Sequence, residues 1–246
     1  MLHGAQNDHS VWALQSRWLA HHGFNVLAPD LPAHSLSAGE LLTTVEAMAD
    51  WALGLLDSLN IKAAHWVGHS MGSLIALHAA SLAPQRVLSL AMLGTAYPMP
   101  VGEALLNAAT HNPEQAYAMI SAWSHRASIG AHTTANPGSN HLAASTRLMQ
   151  RVASRSADNV LLNDFSACNA YAAGMEQAAA FAANSSAPAL VMNGANDAMT
   201  PPKAAATLAK TLNASIITLP NCGHALMAEQ PDAVLDALVK HLTFKT

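Results

Sequence analysis

The chain has 246 residues, 51% of them hydrophobic and 11% charged, and a formal net charge of -4. This composition supports a substantial buried core and excludes a disordered chain. The 11 Lys and Arg residues are scattered, so no nucleic-acid surface is expected, and no apolar run is long enough to span a bilayer.

The start, Met1 to Asp8, lacks the basic and apolar regions of a signal peptide, which predicts a cytoplasmic protein. The spacing predicts a helix over 9–21, stopped by Gly23, and then a strand over 24–28 that ends in Pro29 and Asp30. An amphipathic helix follows over 44–59. The segment 63–67 reads as a strand, with a turn and a helix over 71–83 closed by Pro84, and 87–93 is again a strand. From 97 to 186 the rhythm changes to Ala-rich helical stretches, broken by loops such as Ala135-Asn136-Pro137-Gly138. A strand over 189–192 restores the alternation. Thr200 is expected to cap a helix that has Pro201 in its first position and runs to about 212. The last strand covers 215–219, and Pro231 opens a final helix. Strands alternating with helices predict an α/β fold with a mostly parallel sheet, its core formed by 1–96 and 187–246 and interrupted by a helical insert at 97–186.

Two cysteines, Cys168 and Cys222, are too few for a disulfide framework and are expected to be free thiols. The 14 histidines show no His-Glu-x-x-His spacing, and no Cys-x-x-Cys occurs, so no metal or other cofactor is expected.

The segment that carries most chemistry is Gly68-His69-Ser70-Met71-Gly72, set directly between a strand and a helix. So sharp a turn strains its central residue, and side chains two positions either side would collide, which calls for Gly68 and Gly72. The turn lifts the Ser70 hydroxyl above the sheet and aims the first N–H groups of the helix at the same spot. A serine hydroxyl needs a base, and the base needs a third group to fix its tautomer. Asp197, in Gly194-Ala195-Asn196-Asp197, and His224, in Asn221-Cys222-Gly223-His224, each follow a strand, in the chain order serine, acid, histidine. A tetrahedral intermediate also needs two N–H donors. The backbone N–H groups of Met71 and Ala5 are the candidates, with Gly4 allowing close approach.

Together, Leu2-His3-Gly4, Asp30-Leu31-Pro32, Gly68-His69-Ser70-Met71-Gly72, Gly194-Ala195-Asn196-Asp197 and Gly223-His224-Ala225-Leu226 resemble the α/β-hydrolases of the esterase, lipase and C–C-bond hydrolase type. The resemblance implies a Ser70, His224 and Asp197 triad and an acyl-enzyme, with the insert as a helical cap over a small, fairly apolar substrate. His3, Gly4, Met99, Trp123, Leu226 and Met227 are expected to contact that substrate, with Tyr117, Met119 and Met149 as further pocket candidates. A lactonase, an acyltransferase or a cofactor-free perhydrolase would use the same triad, and a silent ligand-binding protein on this fold is the rival from another class. A monomer or homodimer is expected.

Two departures from the family pattern stand out. Its Asp-x-Pro-Gly-x-Gly-x-Ser loop reads Asp30-Leu31-Pro32-Ala33-His34-Ser35-Leu36-Ser37 here, with both glycines replaced, which predicts a different path for that loop. The family also carries strands before the His-Gly loop, where only Met1 and Leu2 stand. The N-terminal strands are therefore expected to be missing or truncated, with the natural protein beginning upstream of Met1.

Overall fold

The computed structural model describes residues 1–125 and 140–243. The expected loop at 135–138 lies outside the described residues. Four parallel strands form one sheet in the order β1 (Ala64–His69), β2 (Val87–Leu93), β3 (Ala189–Gly194) and β4 (Ser215–Leu219). The register pairs His69 with Leu93, Leu93 with Met192, and Gly194 with Leu219. The carboxyl ends of the strands therefore share one rim, the usual place for a site in an open α/β sheet.

Helices cover both faces. A 3-10 turn, His9–Trp12, leads into α1 (Ala13–His21). Helix α2 (Val45–Ser58) is capped by the Thr44 hydroxyl, which accepts the Ala47 N–H at 3.1 Å. Its buried Val45, Met48, Ala49, Ala52 and Leu56 recur at helical spacing and face the sheet. Helix α3 (Met71–Leu82) is buried on nearly all sides. Between β2 and β3 lie α4 (Glu103–His111), α5 (Pro113–Ser124), α6 (His141–Ala153), α7 (Val160–Ala170) and α8 (Gly174–Asn184). Helices α4 to α7 share an apolar cluster around Leu105, Tyr117, Met149, Leu161 and Phe165. Helix α8 places Ala178 and Phe181 in the core beside α3, and α7 adds Ala167 and Cys168 to the same cluster. Helices α9 (Ala206–Thr211), α10 (Leu226–Glu229) and α11 (Pro231–Leu242) complete the fold. Among the described residues no helix is long and apolar enough to cross a membrane, and Cys168 and Cys222 are buried free thiols.

Two expectations need correction. Residues 24–28 form no strand. A strand needs a partner ladder, and among the described residues the backbone that meets both 24–28 and β1 is Met1–Leu2. Leu2 donates its N–H to Val67 and accepts that of His69, making a single parallel bridge to Gly68, while the Met1 amine donates to the Leu27 carbonyl. Beyond this stub lies a largely apolar cleft of about 590 Å³, lined by Phe24, Val26, Leu56, Ile61 and Trp66 among others. Thr200 caps no helix: Pro202–Ala205 is a 3-10 turn and α9 starts at Ala206, because the Thr200 hydroxyl is engaged elsewhere. Within the loop 32–37, two residues stand in backbone conformations that glycine favours. Ala33 and Ser35 have φ of 61° and 46°, a left-handed backbone that costs L-residues about 1–2 kcal/mol each.

Candidate active site

Ser70 sits between β1 and α3 with φ 53° and ψ -122°, a strained conformation for a residue with a side chain. The strain is held from three directions. Ser70 N–H donates to the Leu93 carbonyl, the Ser73 N–H donates to the Ser70 carbonyl, and the backbone of α3 is pressed against its neighbours. A Cβ on Gly68 would stand 2.1 Å from the Gly72 carbonyl oxygen, and one on Gly72 2.4 Å from that of Leu2. Both glycines are therefore fixed by backbone contact, as the turn requires.

Asp197 and His224 arrive from the loops after β3 and β4. These loops abut: a Cβ on Gly194 would meet the Gly223 carbonyl oxygen at 2.1 Å. His224 Nδ1 lies 2.8 Å from Asp197 Oδ2, and both side chains are almost wholly buried. Asp197 also accepts the backbone N–H groups of Met199 and Thr200 on Oδ1 and the Thr200 hydroxyl on Oδ2. Burial alone would raise this carboxyl, but the His224 imidazole and the Thr200 donors outweigh it and hold Asp197 below the usual carboxylate range. It stays ionised and fixes the proton of His224 on Nδ1, leaving Nε2 free to act as a base. Thr200 Oγ1, 3.0 Å from His224 Nδ1, completes this cluster, which composition gave no means to foresee.

Behind the base, His69 Nε2 donates to the His224 carbonyl at 2.8 Å, and burial, with His224 close by, pushes His69 down to about 3. Helix α5 reaches the same loop, because the Ser124 carbonyl accepts the N–H groups of His224 and Ala225. Ser70 and His224 line one cavity of about 410 Å³. Among the described residues no hydrogen bond joins their side chains, and catalytic contacts of this kind often tighten only when substrate binds.

Two N–H groups remain for an oxyanion. Met71 is the first residue of α3, so its N–H has no intrahelical acceptor. Ala5 borders Ser70, and its N–H has no hydrogen-bond acceptor among the described residues. The next N–H, that of Gln6, is taken by Asp164 Oδ2 at 2.9 Å, and the Gln6 amide donates to the Tyr117 hydroxyl and the Met149 carbonyl. The donor loop is thus gripped by α5, α6 and α7. Asp164 also meets His34 Nε2 at 2.9 Å, with both side chains fully enclosed.

The expected substrate contacts divide. Met99 and Trp123 line a second, apolar cavity of about 170 Å³ that opens on Ser70, together with Val101, Leu105, Phe165 and Met199. Met227 and Met149 line the larger cavity. Gly4 packs against Ser70, where its added Cβ would be 3.1 Å from the serine Cβ. His3 and Leu226 face neither cavity, a correction to the sequence reading. His3 is fully buried, accepts the Leu31 N–H on Nε2 and donates from Nδ1 to the Gly4 carbonyl. Burial pushes it down to about 4, so it is a neutral brace. Leu226 is wholly enclosed in the core beside α11 because it opens α10. Tyr117 and Met119 belong to the α4–α7 cluster.

A family model described as alpha/beta hydrolase fold matches residues 1–231. Among curated proteins, the chain is 40% identical over 106 residues to the dihydrolipoyllysine-residue acetyltransferase component of the acetoin cleaving system of Pseudomonas putida, a match covering 43% of this chain and 28% of that one. It is 35% identical over 97 residues to the pimeloyl-[acyl-carrier protein] methyl ester esterase of Methylococcus capsulatus, covering 39% of this chain and 35% of the relative. The matches thus span about a third of these relatives. Among solved structures, the enol-lactonase from Burkholderia xenovorans LB400 superposes with a TM-score of 0.79 at 24% identity, covering 99% of this chain and 90% of the lactonase.

Proposed function

The chain belongs to the α/β-hydrolase fold family, and on that premise we propose that it is a serine hydrolase cleaving an ester or related acyl bond of a small, fairly apolar substrate. The observation that carries this reading is the convergence, at one rim of the sheet, of a strained Ser70 and a buried His224–Asp197 pair around a shared cavity. Such an arrangement serves nucleophilic acyl transfer.

Ser70 Oγ attacks the substrate carbonyl while His224 Nε2 takes its proton. Asp197 keeps the imidazole in the right tautomer and stabilises the imidazolium that forms. The N–H groups of Met71 and Ala5 hold the oxyanion, each lowering the barrier by about 3 kcal/mol. His224 then hands its proton to the leaving group, and an acyl-enzyme remains. Water, deprotonated by His224, attacks it and releases the acid. Helices α4 to α7 act as the cap that shapes both cavities.

A p-nitrophenyl ester and a fluorophosphonate probe test this. The reading expects hydrolysis together with covalent labelling at Ser70, both abolished by Ser70→Ala. A protein that neither hydrolyses the ester nor takes the label is a binding module on this fold, and the hydrolase reading is then wrong.

A further inference from the structure

Two cavities meet at Ser70, and their chemistry differs. The cavity of about 170 Å³ is lined mainly by apolar side chains, with Ser70 and Thr200, and among the described residues by no acid or basic side chain. Among the described residues, every ionisable side chain lining the cavity of about 410 Å³ is a base: four histidines, Arg147 and Arg151. Helix α6 supplies much of this wall, since 141, 144, 145, 148 and 151 recur at spacings of three and four and so share a face.

The two arginines are not equivalent. Arg151 is already neutralised, because it donates to Asp8 Oδ2 at 2.6 Å. Arg147 lines the cavity as an exposed residue and has no carboxylate within ion-pair distance among the described residues, so its guanidinium is open to a ligand. His141, on the same helix and lining the same cavity, is buried to nine-tenths, and its Nε2 has no hydrogen-bond partner. Its ring lies parallel to that of His125, with centroids 6.2 Å apart. The wall thus offers one guanidinium without a carboxylate partner, and among the described residues no acid lines the cavity.

The base decides which end of the substrate lies where. His224 must protonate the departing oxygen, so the leaving group belongs on the side of His224. His224 lines the larger cavity and not the smaller one. We propose that the substrate is a short-chain acyl ester of a carboxylate-bearing alcohol or phenol, with its acyl chain in the apolar cavity and its carboxylate bound by Arg147. The assignment rests on the hydrolase reading, keeps an apolar acyl group and replaces the fairly apolar leaving group with an anionic one. The smaller cavity is several times the ~30 Å³ share of one water, which suits a short acyl chain. A single guanidinium fork matches a single carboxylate.

The test compares 4-acetoxybenzoate with 4-acetoxybenzamide, which share the acyl group and the shape of the leaving group. For the wild type, kcat/KM is expected to favour the anion about fivefold at low salt, the advantage shrinking as ionic strength rises. Arg147→Gln should collapse that ratio and Arg147→Lys retain part of it. A second arm measures binding alone: 4-hydroxybenzoate should raise the Tm of the wild type more than that of Arg147→Gln. If both esters turn over at a ratio that Arg147→Gln does not change, the anion assignment is wrong and the hydrolase reading stands. If neither ester turns over and Ser70 takes no fluorophosphonate, the hydrolase reading fails and with it the substrate assignment. The Tm arm then shows whether Arg147 binds a carboxylate at all, and equal shifts in both proteins would remove that claim too.

Discussion

Asp164→Ala is the substitution expected to cost most outside the catalytic cluster. Asp164 is fully enclosed and accepts from three donors: the Gln6 N–H at 2.9 Å, His34 Nε2 at 2.9 Å and the Asn163 amide at 3.3 Å. Removing the carboxylate orphans a buried backbone N–H, worth about 1–3 kcal/mol, and breaks a buried ion pair, worth about 3–5 kcal/mol with overlap between the two costs. We expect a loss of about 4 kcal/mol, or roughly 10 °C in Tm for a chain of this size. Because Gln6 follows Ala5, the freed loop should also misplace the Ala5 donor and lower kcat at least tenfold. Denaturant unfolding at pH 7 gives the first number, and turnover of a short aryl ester well below Tm gives the second. Asp164→Asn separates charge from shape. Burial by itself would push His34 down, but Asp164 outweighs it and raises the imidazole above its ordinary 6.5. The ion pair's contribution is therefore complete below pH 6.5 and fades as pH rises through the folded-state value. That decline should be present in the wild type and absent in Asp164→Asn. A loss below about 1 kcal/mol in Asp164→Ala, with kcat unchanged, would refute the claim that this carboxylate braces the donor loop.

Two further outcomes follow from backbone and burial. Ala33→Gly relieves a left-handed residue whose side chain makes no hydrogen bond, and should raise stability by about 0.5–1 kcal/mol once glycine's extra unfolded-state entropy is subtracted, measured as a rise in denaturant midpoint. A fall would mean that the alanine methyl packs better than its φ suggests. Acid should unfold the protein early. His3 and His125 are pushed down to about 4 and His69 to about 3, all by burial. The unfolded chain takes up protons below pH 6.5 that the native state refuses, so stability is lost as pH falls from 6.5. At pH 5 each buried ring costs about 2 kcal/mol, three rings against the single opposing gain at His34. Equal stability at pH 7 and pH 5 would contradict their neutral burial.

What could be read from the sequence was local or carried by short motifs. The crowding around Ser70 is decided within five residues, and the stop at Gly23 and the helix start at Pro231 act within one turn. The segment 24–28 has strand composition, but a strand forms only against a partner, and partnership is not a local property. Thr200 carries both capping and acid-orienting chemistry, and only the fold brings His224 within reach to decide between them. His3 offered the same ambiguity: its neighbour in the chain is the donor loop, yet its ring serves Leu31. The link between His34 and Asp164 joins residues 130 positions apart. No spacing rule announces it, and the same holds for Arg147, whose significance depends on the absence of an acid opposite.

The Ser124 carbonyl, which receives two N–H groups from the loop carrying His224, ties the roof of the site to its proton-transfer machinery. A different helical insert grafted onto this core would have to bring an equivalent acceptor to the same point, or leave the base on a loosened tether. Evolution faces the same constraint. Helix α5 is not a module that can be exchanged to widen substrate range while the imidazole stays still. Remodelling aimed at new substrates has freer play in α4, which among the described residues makes no such backbone bond to the base.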